Sequence, residues 1–292
     1  MSESLYGGVV MQEAMKSFSN IIAPITAMSY ATDNSALNVG DTVKVPYASP
    51  NSASNAFSYA SGYGSTNSTQ LGVRPVVLSN LLFQRFVIND ADASKLDSNS
   101  ILTFAKQAGE KLAGDVISAS IASVVTNANY PTSASCTSGQ LTSSIALADL
   151  VTQADEELWT TDNRNIILGT SAWNSLIKNT ALNQAFSYGG NQVVQNALPT
   201  NVYGFNVYKT TVNLPNNAKA LVLNPTSILF ATGQHKPSEV SKPTVNFFSS
   251  QEKGITLTMR NWYDQNAAQT VYVLECLFGT ATGNTNGLFQ MK

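Results

Sequence analysis

The strongest periodic signal in the chain runs from Ser98 to Thr126, where Leu102, Ala105, Leu112, Val116 and Ala119 recur at helical spacing. The pattern predicts an amphipathic helix of about 28 residues, roughly 42 Å long and about twice the average length. Asp97 or Ser98 can cap its first turn. Lys106–Glu110 and Lys111–Asp115 are i,i+4 pairs of opposite charge on its polar side. A second stripe of Leu147, Leu150, Val151, Ala154 and Leu158 predicts a helix with Asp155, Glu156 and Glu157 in water. A third helix is expected from about Ser171, with Trp173, Leu176, Ile177 and Thr180 on one side. Strand patterns fall at Val43 and Val45, Val73 to Ile88, Asn165 to Leu168, Val202 to Tyr208, Ala220 to Leu223, Ile228 to Ala231, Ile255 to Trp262 and Val271 to Phe278. Ahead of Pro24, residues 9–22 carry only a weak helical pattern, so residues 1–38 read as an extended arm with a helical piece. Strands and helices do not alternate strictly, which places the chain in the α+β class.

Between the first two strand patterns lies a segment with neither period. Val45 to Val73 is 29 residues of mainly Ser, Asn, Ala, Gly and Tyr without one Asp, Glu, Lys or Arg, framed by Lys44 and Arg74. Structureless loops beyond about 12–15 residues are uncommon in compact domains unless they are functional or disordered. The segment is therefore either a flexible linker or an arm that gains order on another molecule. With its flanking strands it predicts a long two-stranded projection with a Ser/Gly-rich tip.

Charged residues make up 12% of the chain, about half the usual ~25%, which suits a surface largely covered by partners. A net charge of −2 and no basic stripe argue against sequence-specific nucleic-acid binding. Cys136 and Cys276 form neither a disulfide framework nor a metal spacing and read as buried free thiols. The first 18 residues include acidic positions and no long apolar run, so no signal peptide is expected, and no stretch reaches the roughly 18 apolar residues of a membrane span.

Candidate chemistry is sparse. His235, the single histidine, sits in a Gly/Pro-flanked loop and reads as a solvated side chain. Gly169-Thr170-Ser171-Ala172-Trp173 lies between a strand and a helix, as a hydrolase nucleophile elbow would, but Trp173 replaces the second glycine. No Asp or Glu lies between Ser171 and His235, so Thr170 or Ser171 is better explained as a helix N-cap. Gly109 and Gly114 have P-loop separation, yet Asp115 stands where the lysine is needed and both lie inside the long helix. Asn67-Ser68-Thr69 is a chance glycosylation sequon, and the acidic run 155–157 is a solvated helix face. Phe57, Tyr59 and Tyr63 could stack on bases, but no Arg or Lys is interleaved. No catalytic residue, cofactor or metal is expected. The arm, the projection and the long helix all create surface that a monomer cannot bury, which points to a self-associating structural protein.

The order of these elements resembles the major capsid proteins of tailed bacteriophages, the Hong Kong 97-type fold. The most specific stretch is residues 164–210: RNIILGTSAWNSLIKN is similar to the family's strand and following helix, and FSYGGNQVVQNALPTNVYGFNVYKT to its glycine-marked loop and next strand. GITLTMRNWYDQNAAQTVYVLECLFG resembles the final strand pair. The resemblance covers essentially the whole chain. It implies an N-terminal arm at 1–38, an extended loop at 39–88, a peripheral domain with the spine helix at 89–143, an axial α/β domain at 144–225 and returning peripheral strands at 226–292. The implied function is a non-catalytic subunit that closes, as pentamers and hexamers, into an icosahedral shell around double-stranded DNA. Such a virion is assembled in the bacterial host cytoplasm, with loose contact to packaged DNA and no membrane. A portal, a possible decoration protein and a separate scaffolding protein are the implied partners, the last because only a short arm follows Met1. Phe57, Tyr59, Tyr63 and Arg74 of the extended loop are expected to contact a neighbouring subunit. Lys178 and Lys209 are expected to meet acidic surfaces within a ring, since no acidic residue lies between Asp162 and Glu239 while Arg164, Lys178, Lys209 and Lys219 do. Some relatives join subunits through a lysine of this loop, but positions 45–73 hold none, so uncrosslinked subunits are expected. An encapsulin-type compartment shares the fold and stays open, as does the different class of a surface-layer or adhesin protein.

Overall fold

The structure, a computed structural model, describes residues 3–33, 35, 38–48, 59, 71–93, 98–179, 182, 201–236 and 246–292. In chain order the elements are helix α1 (Glu3–Ile21), strands β1 (Ser29–Asp33), β2 (Thr42–Ala48), β3 (Leu71–Val77) and β4 (Asn80–Asn89), the single turn α2 (Asp90–Ala93), and the long helix α3 (Ser98–Val124). There follow α4 (Ser144–Glu156), β5 (Arg164–Leu168), α5 (Thr170–Ile177), β6 (Asn201–Val202), β7 (Phe205–Lys209) and β8 (Ala220–Leu223). The chain ends with β9 (Ile228–Gly233), β10 (Asn246–Glu252), β11 (Ile255–Asp264), β12 (Gln269–Thr282) and β13 (Leu288–Met291).

The long helix stands where its period placed it, with Ala105, Leu112 and Val116 fully buried. What it packs against differs from expectation. Residues 3–21 are one helix, and Val10, Met11, Ala14, Met15 and Phe18 form a stripe buried with α3 in the largest core. This part of the chain is core, not an extended arm. Gly7 and Gly8 weaken its intrinsic helix preference, and packing on α3 overrides that. The same contact redirects charge: Lys106 reaches Glu13 of α1 at 3.1 Å instead of pairing with Glu110, while Lys111–Asp115 forms as expected at 2.7 Å.

The two helices touch at Gly109, where an added Cβ would lie 2.4 Å from the Ala14 carbonyl oxygen. Gly109→Ala is therefore expected to cost about 1–3 kcal/mol through overpacking against backbone. Gly114→Ala, whose Cβ would meet only Val212 at 3.8 Å, should stabilise by up to about 1 kcal/mol from helix preference. Thermal melts of the two variants check the pair of opposite signs.

Strand β12 organises the larger sheet. Leu277 and Phe278 pair with both β4 and β9, so β4 runs along one edge, and β11 followed by β9 along the other. Strand β10 extends β11, and β1 lies parallel to β9. The run Val73–Ile88, expected as one arm of the projection, is thus two strands. It divides at Leu78–Ser79, with β3 pairing β2 in the projection and β4 pairing β12 in the sheet.

A smaller sheet runs in the order β13-β8-β5-β7-β6. It takes β5 to β8 from the stretch expected as the axial domain, for which it is named the axial unit, and β13 from the stretch 226–292 expected as peripheral strands. Strands β13, β8 and β5 are buried throughout, because both faces are covered. Ile166, Leu168, Ala220, Val222, Phe289 and Met291 face α4 and α5, whereas Ile167, Leu221, Leu223 and Leu288 face the larger core. This sheet is the joint between the two cores. The stretch Val202–Tyr208, expected as one strand, is a hairpin with Tyr203 and Gly204 at its turn (φ 50° and 80°). Two successive positive φ values are the requirement of a type I′ turn, which suits Gly204.

Candidate assembly surfaces

The projection is fixed at its base. Val43, Val45, Val76 and Leu78 pack against Leu229, Ala231 and Leu277 of the larger sheet. Arg74, directly opposite Val45 and so on the same inner face, donates from Nη1 to the carbonyls of Thr282 and Gly283. It holds the projection to its own chain. Val73 and Val77, on the outer face, are exposed. Tyr59 is 99% exposed; Phe57 and Tyr63 lie outside the described residues, as do Asp97, Thr180 and residues 183–200.

A second surface is the face of the larger sheet turned away from α3. Phe83 of β4 stands opposite Glu275, Arg85 opposite Val273 and Val87 opposite Val271, with Arg260 and Trp262 on the next strand. Phe83 is 60% exposed, and among the described residues no strand pairs with the outer edge of β4. Phe83 was hidden in the sequence because Leu81-Leu82-Phe83 breaks the period-two alternation that would have assigned it a side.

The axial unit presents a third surface. Lys178 caps the end of α5 and Lys209 ends β7; both are exposed. The Lys209 ammonium lies 5.5 Å from the ring centroid of Trp173, a cation–π distance. Arg164, counted with them in the sequence, is elsewhere: its buried guanidinium donates to the Thr160 and Trp159 carbonyls and to the Asp155 carboxylate. Asp155 therefore partners a buried cation besides facing water. Leu158 is not part of the helix stripe; it lies beyond the end of α4 with φ 56° and is 89% exposed. Ile145, at the start of α4, is exposed too. Tyr59 and Arg74 sit on the projection and Lys178 and Lys209 on the axial unit, so the expected contact residues form separate surfaces.

Chemistry is scant on these surfaces. Among the described residues no three His, Cys, Asp or Glu side chains are grouped to hold a metal ion. Burial, with a smaller contribution from the nearby Asp149 charge, pushes the Cys136 thiol up to about 11, and burial pushes Cys276 up to about 12. Both stay protonated and poorly nucleophilic. Thr170 and Ser171 open onto a cleft of about 470 Å³ with Asn213, Asn217 and Lys219, but its lining holds no His, Asp or Glu to act as base. The N-cap of α5 is Gly169, not Thr170 or Ser171. His235 is not solvated: it pairs with Glu275 and Arg260 on the sheet. Among the described residues no helix is long and apolar enough to cross a membrane.

No family model and no curated protein matches the sequence. Solved structures do match along nearly the whole chain. The capsid structure of the cyanophage P-SCSP1u is 14% identical over 91% of this chain and 86% of its own, with a TM-score of 0.54. The virus-like particle from Pyrococcus furiosus is 12% identical over 98% of each chain, with a TM-score of 0.56. The mature capsid of bacteriophage PhiM1 is 11% identical over 91% of this chain and 85% of its own, with a TM-score of 0.50. The chain shares the mixed helix-and-sheet fold of capsid proteins, the Hong Kong 97-type fold that its order of elements resembles.

Proposed function

We propose that this chain is the non-catalytic subunit of a closed capsid shell, built from many copies as pentamers and hexamers around the double-stranded DNA of a tailed bacteriophage. The observation that carries this reading is the likeness to a cyanophage capsid over 91% of the chain. The exposed Phe83 and Leu158 and the uncharged segment between Lys44 and Arg74 support it, since each is a surface that association would bury. Assembly belongs in the bacterial host cytoplasm, the mature protein in the virion, and portal, scaffolding and decoration proteins are its partners. The test is expression of the chain, alone and with its scaffolding partner, followed by negative-stain microscopy. Closed particles of uniform size are expected, and native particles should hold nuclease-resistant DNA. Only irregular sheets or monomers in both cases would overturn the reading.

An encapsulin-type compartment is the second reading, favoured by the 98% mutual coverage with the Pyrococcus furiosus particle. Uniform native shells free of DNA and filled with protein would select it.

In this reading Phe57, Tyr59 and Tyr63 grip a neighbouring subunit through backbone pairing and apolar packing, without a crosslink. With no lysine at positions 45–73, mature particles boiled in detergent should run as a single monomer band; a covalent ladder would contradict this. Lys178 and Lys209 meet acidic surfaces of neighbours within a ring, where charge complementarity sets register more than affinity. Lys178→Glu with Lys209→Glu is expected to cut shell yield by roughly tenfold at low salt, measured by sedimentation, with unchanged subunit melting. Undiminished yield would remove both residues from the interface.

A further inference from the structure

Strand β4 is ten residues long, nearly twice the usual length. One of its edges pairs with β12 from end to end. Among the described residues no strand and no other hydrogen bond reaches the backbone of its other edge. Free edges of this length are normally guarded by Pro, Lys, inward charges or a bulge, because their unpaired N–H and C=O groups recruit a further strand. Here the sequence NLLFQRFVIN holds no Pro, Lys, Asp or Glu and a single charge, Arg85. Its register with β12 is unbroken, so no bulge turns the edge away. Phe83 and Arg85 stand exposed on the face turned away from α3.

The strand is also complementary to itself. Directly opposed residues of an antiparallel pair share a face, so a strand meeting its own copy opposes residues an even number apart. With Gln84 opposite Gln84, Phe83 meets Arg85, Leu82 meets Phe86 and Leu81 meets Val87. Apolar residues then face apolar residues, and the one cation lies against an aromatic ring, a favourable cation–π pair. Centring the pair on Arg85 opposes two guanidinium groups. Centring it on Phe83 sets Arg85 against Leu81 and Gln84 against Leu82. On the α3 side Gln84 donates to Asp115, which pairs with Lys111 at 2.7 Å, so the favoured centre gathers no unpaired charge. We propose that β4 is a self-pairing edge: two copies of this chain join antiparallel along it, about a twofold axis through Gln84, and carry the larger sheet from one subunit into the next. A self-complementary patch is what a twofold contact requires. The pairing adds a contact to the shell reading without resting on it, since two copies can join at β4 whether or not a shell closes.

Single cysteines at adjacent positions read the register in the full-length protein under mild oxidation, where the buried Cys136 and Cys276 stay silent. Gln84→Cys faces its own copy across a Cα separation of about 5 Å, which a disulfide spans. Arg85→Cys lies about 8 Å from its copy, beyond that reach. Dimer on non-reducing gels should be about tenfold more abundant for the first. In the Gln84→Cys background, Phe83→Lys sets a cation against Arg85 of the second copy and should cut dimer about tenfold at low salt. Adding Arg85→Glu creates Lys–Glu pairs across the axis and should restore it. No dimer from Gln84→Cys, equal dimer from Arg85→Cys, or no effect of Phe83→Lys would overturn the pairing. Absence of Gln84→Cys dimers while β4 amides stay protected from exchange in particles would give the edge to another segment, such as the uncharged one of a second copy, and overturn it likewise. Dimers that never close into particles would support the pairing and count against the shell reading instead.

Discussion

Replacement of residues 51–70 by Asn-Gly is expected to leave a folded subunit that no longer closes a shell. The residues that fix the projection, Val43, Val45, Val76 and Arg74, lie outside the replaced stretch and keep their contacts with Leu229, Ala231, Leu277 and the Thr282 carbonyl. Ala48 and Leu71 are already paired, so a short turn can close β2 on β3. Shortening a surface loop changes closure entropy by only about 1 kcal/mol, and no core side chain is removed. Melting temperature should thus hold within a few degrees while particles disappear from micrographs. The contrast is the informative part, because it separates a segment that folds the subunit from one that joins subunits. Shells of normal size and stability would make the uncharged segment a passive surface linker.

Trp159→Ala should produce the opposite pattern, a loss of stability that precedes any loss of assembly. Trp159 follows α4, stacks on Phe289 with ring centroids 4.6 Å apart, and donates from Nε1 to the Asn286 carbonyl at 3.1 Å. Phe289 belongs to the last strand, β13, which pairs with β8 in the axial sheet. One side chain therefore ties the helical layer of the axial unit to the C-terminal strand. Truncating a buried tryptophan costs about 3–5 kcal/mol, which in a chain of this size lowers the melting temperature by roughly 10 °C. Trp159→Phe, which restores most of the stacking but not the hydrogen bond, should recover more than half of that. The urea midpoint of the soluble subunit measures both. A midpoint unchanged by Trp159→Ala would mean that β13 is held by its backbone pairing alone.

Elements whose burial follows their own period were legible. The long helix is such a case, since twenty-seven residues keep one face to the core and the register of Ala105, Leu112 and Val116 cannot hide. The β11–β12 hairpin was legible too, from apolar and polar residues alternating in β11, a nearly continuous apolar run in β12 and a polar turn between them. The three lysines of the axial unit were found by counting charge, but Arg164, alike in the sequence, is buried against Asp155. Nothing local distinguishes a cation at a strand's first residue from one on its rim. His235 was misread for a related reason: a histidine among Gly, Gln and Pro looks solvated until two distant strands bring Arg260 and Glu275 to it.

The amino-acid sequence by itself determined the α+β class, the spine helix, the axial strand–helix unit, the final strand pair and the uncharged segment between Lys44 and Arg74. These rest on side-chain periodicity and composition, which are properties of neighbours along the chain. Only the tertiary structure decided that residues 3–21 belong to the core, that β4 leaves the projection for β12, and that Tyr203-Gly204 turns a strand back on itself. It also decided that the axial sheet is shared between two cores, with Ile167 and Leu221 facing one and Ile166 and Val222 the other. A run of apolar residues states that both faces are buried, but what buries them is set by elements a hundred residues away. The free energy of that burial depends on area removed from water, whatever covers it.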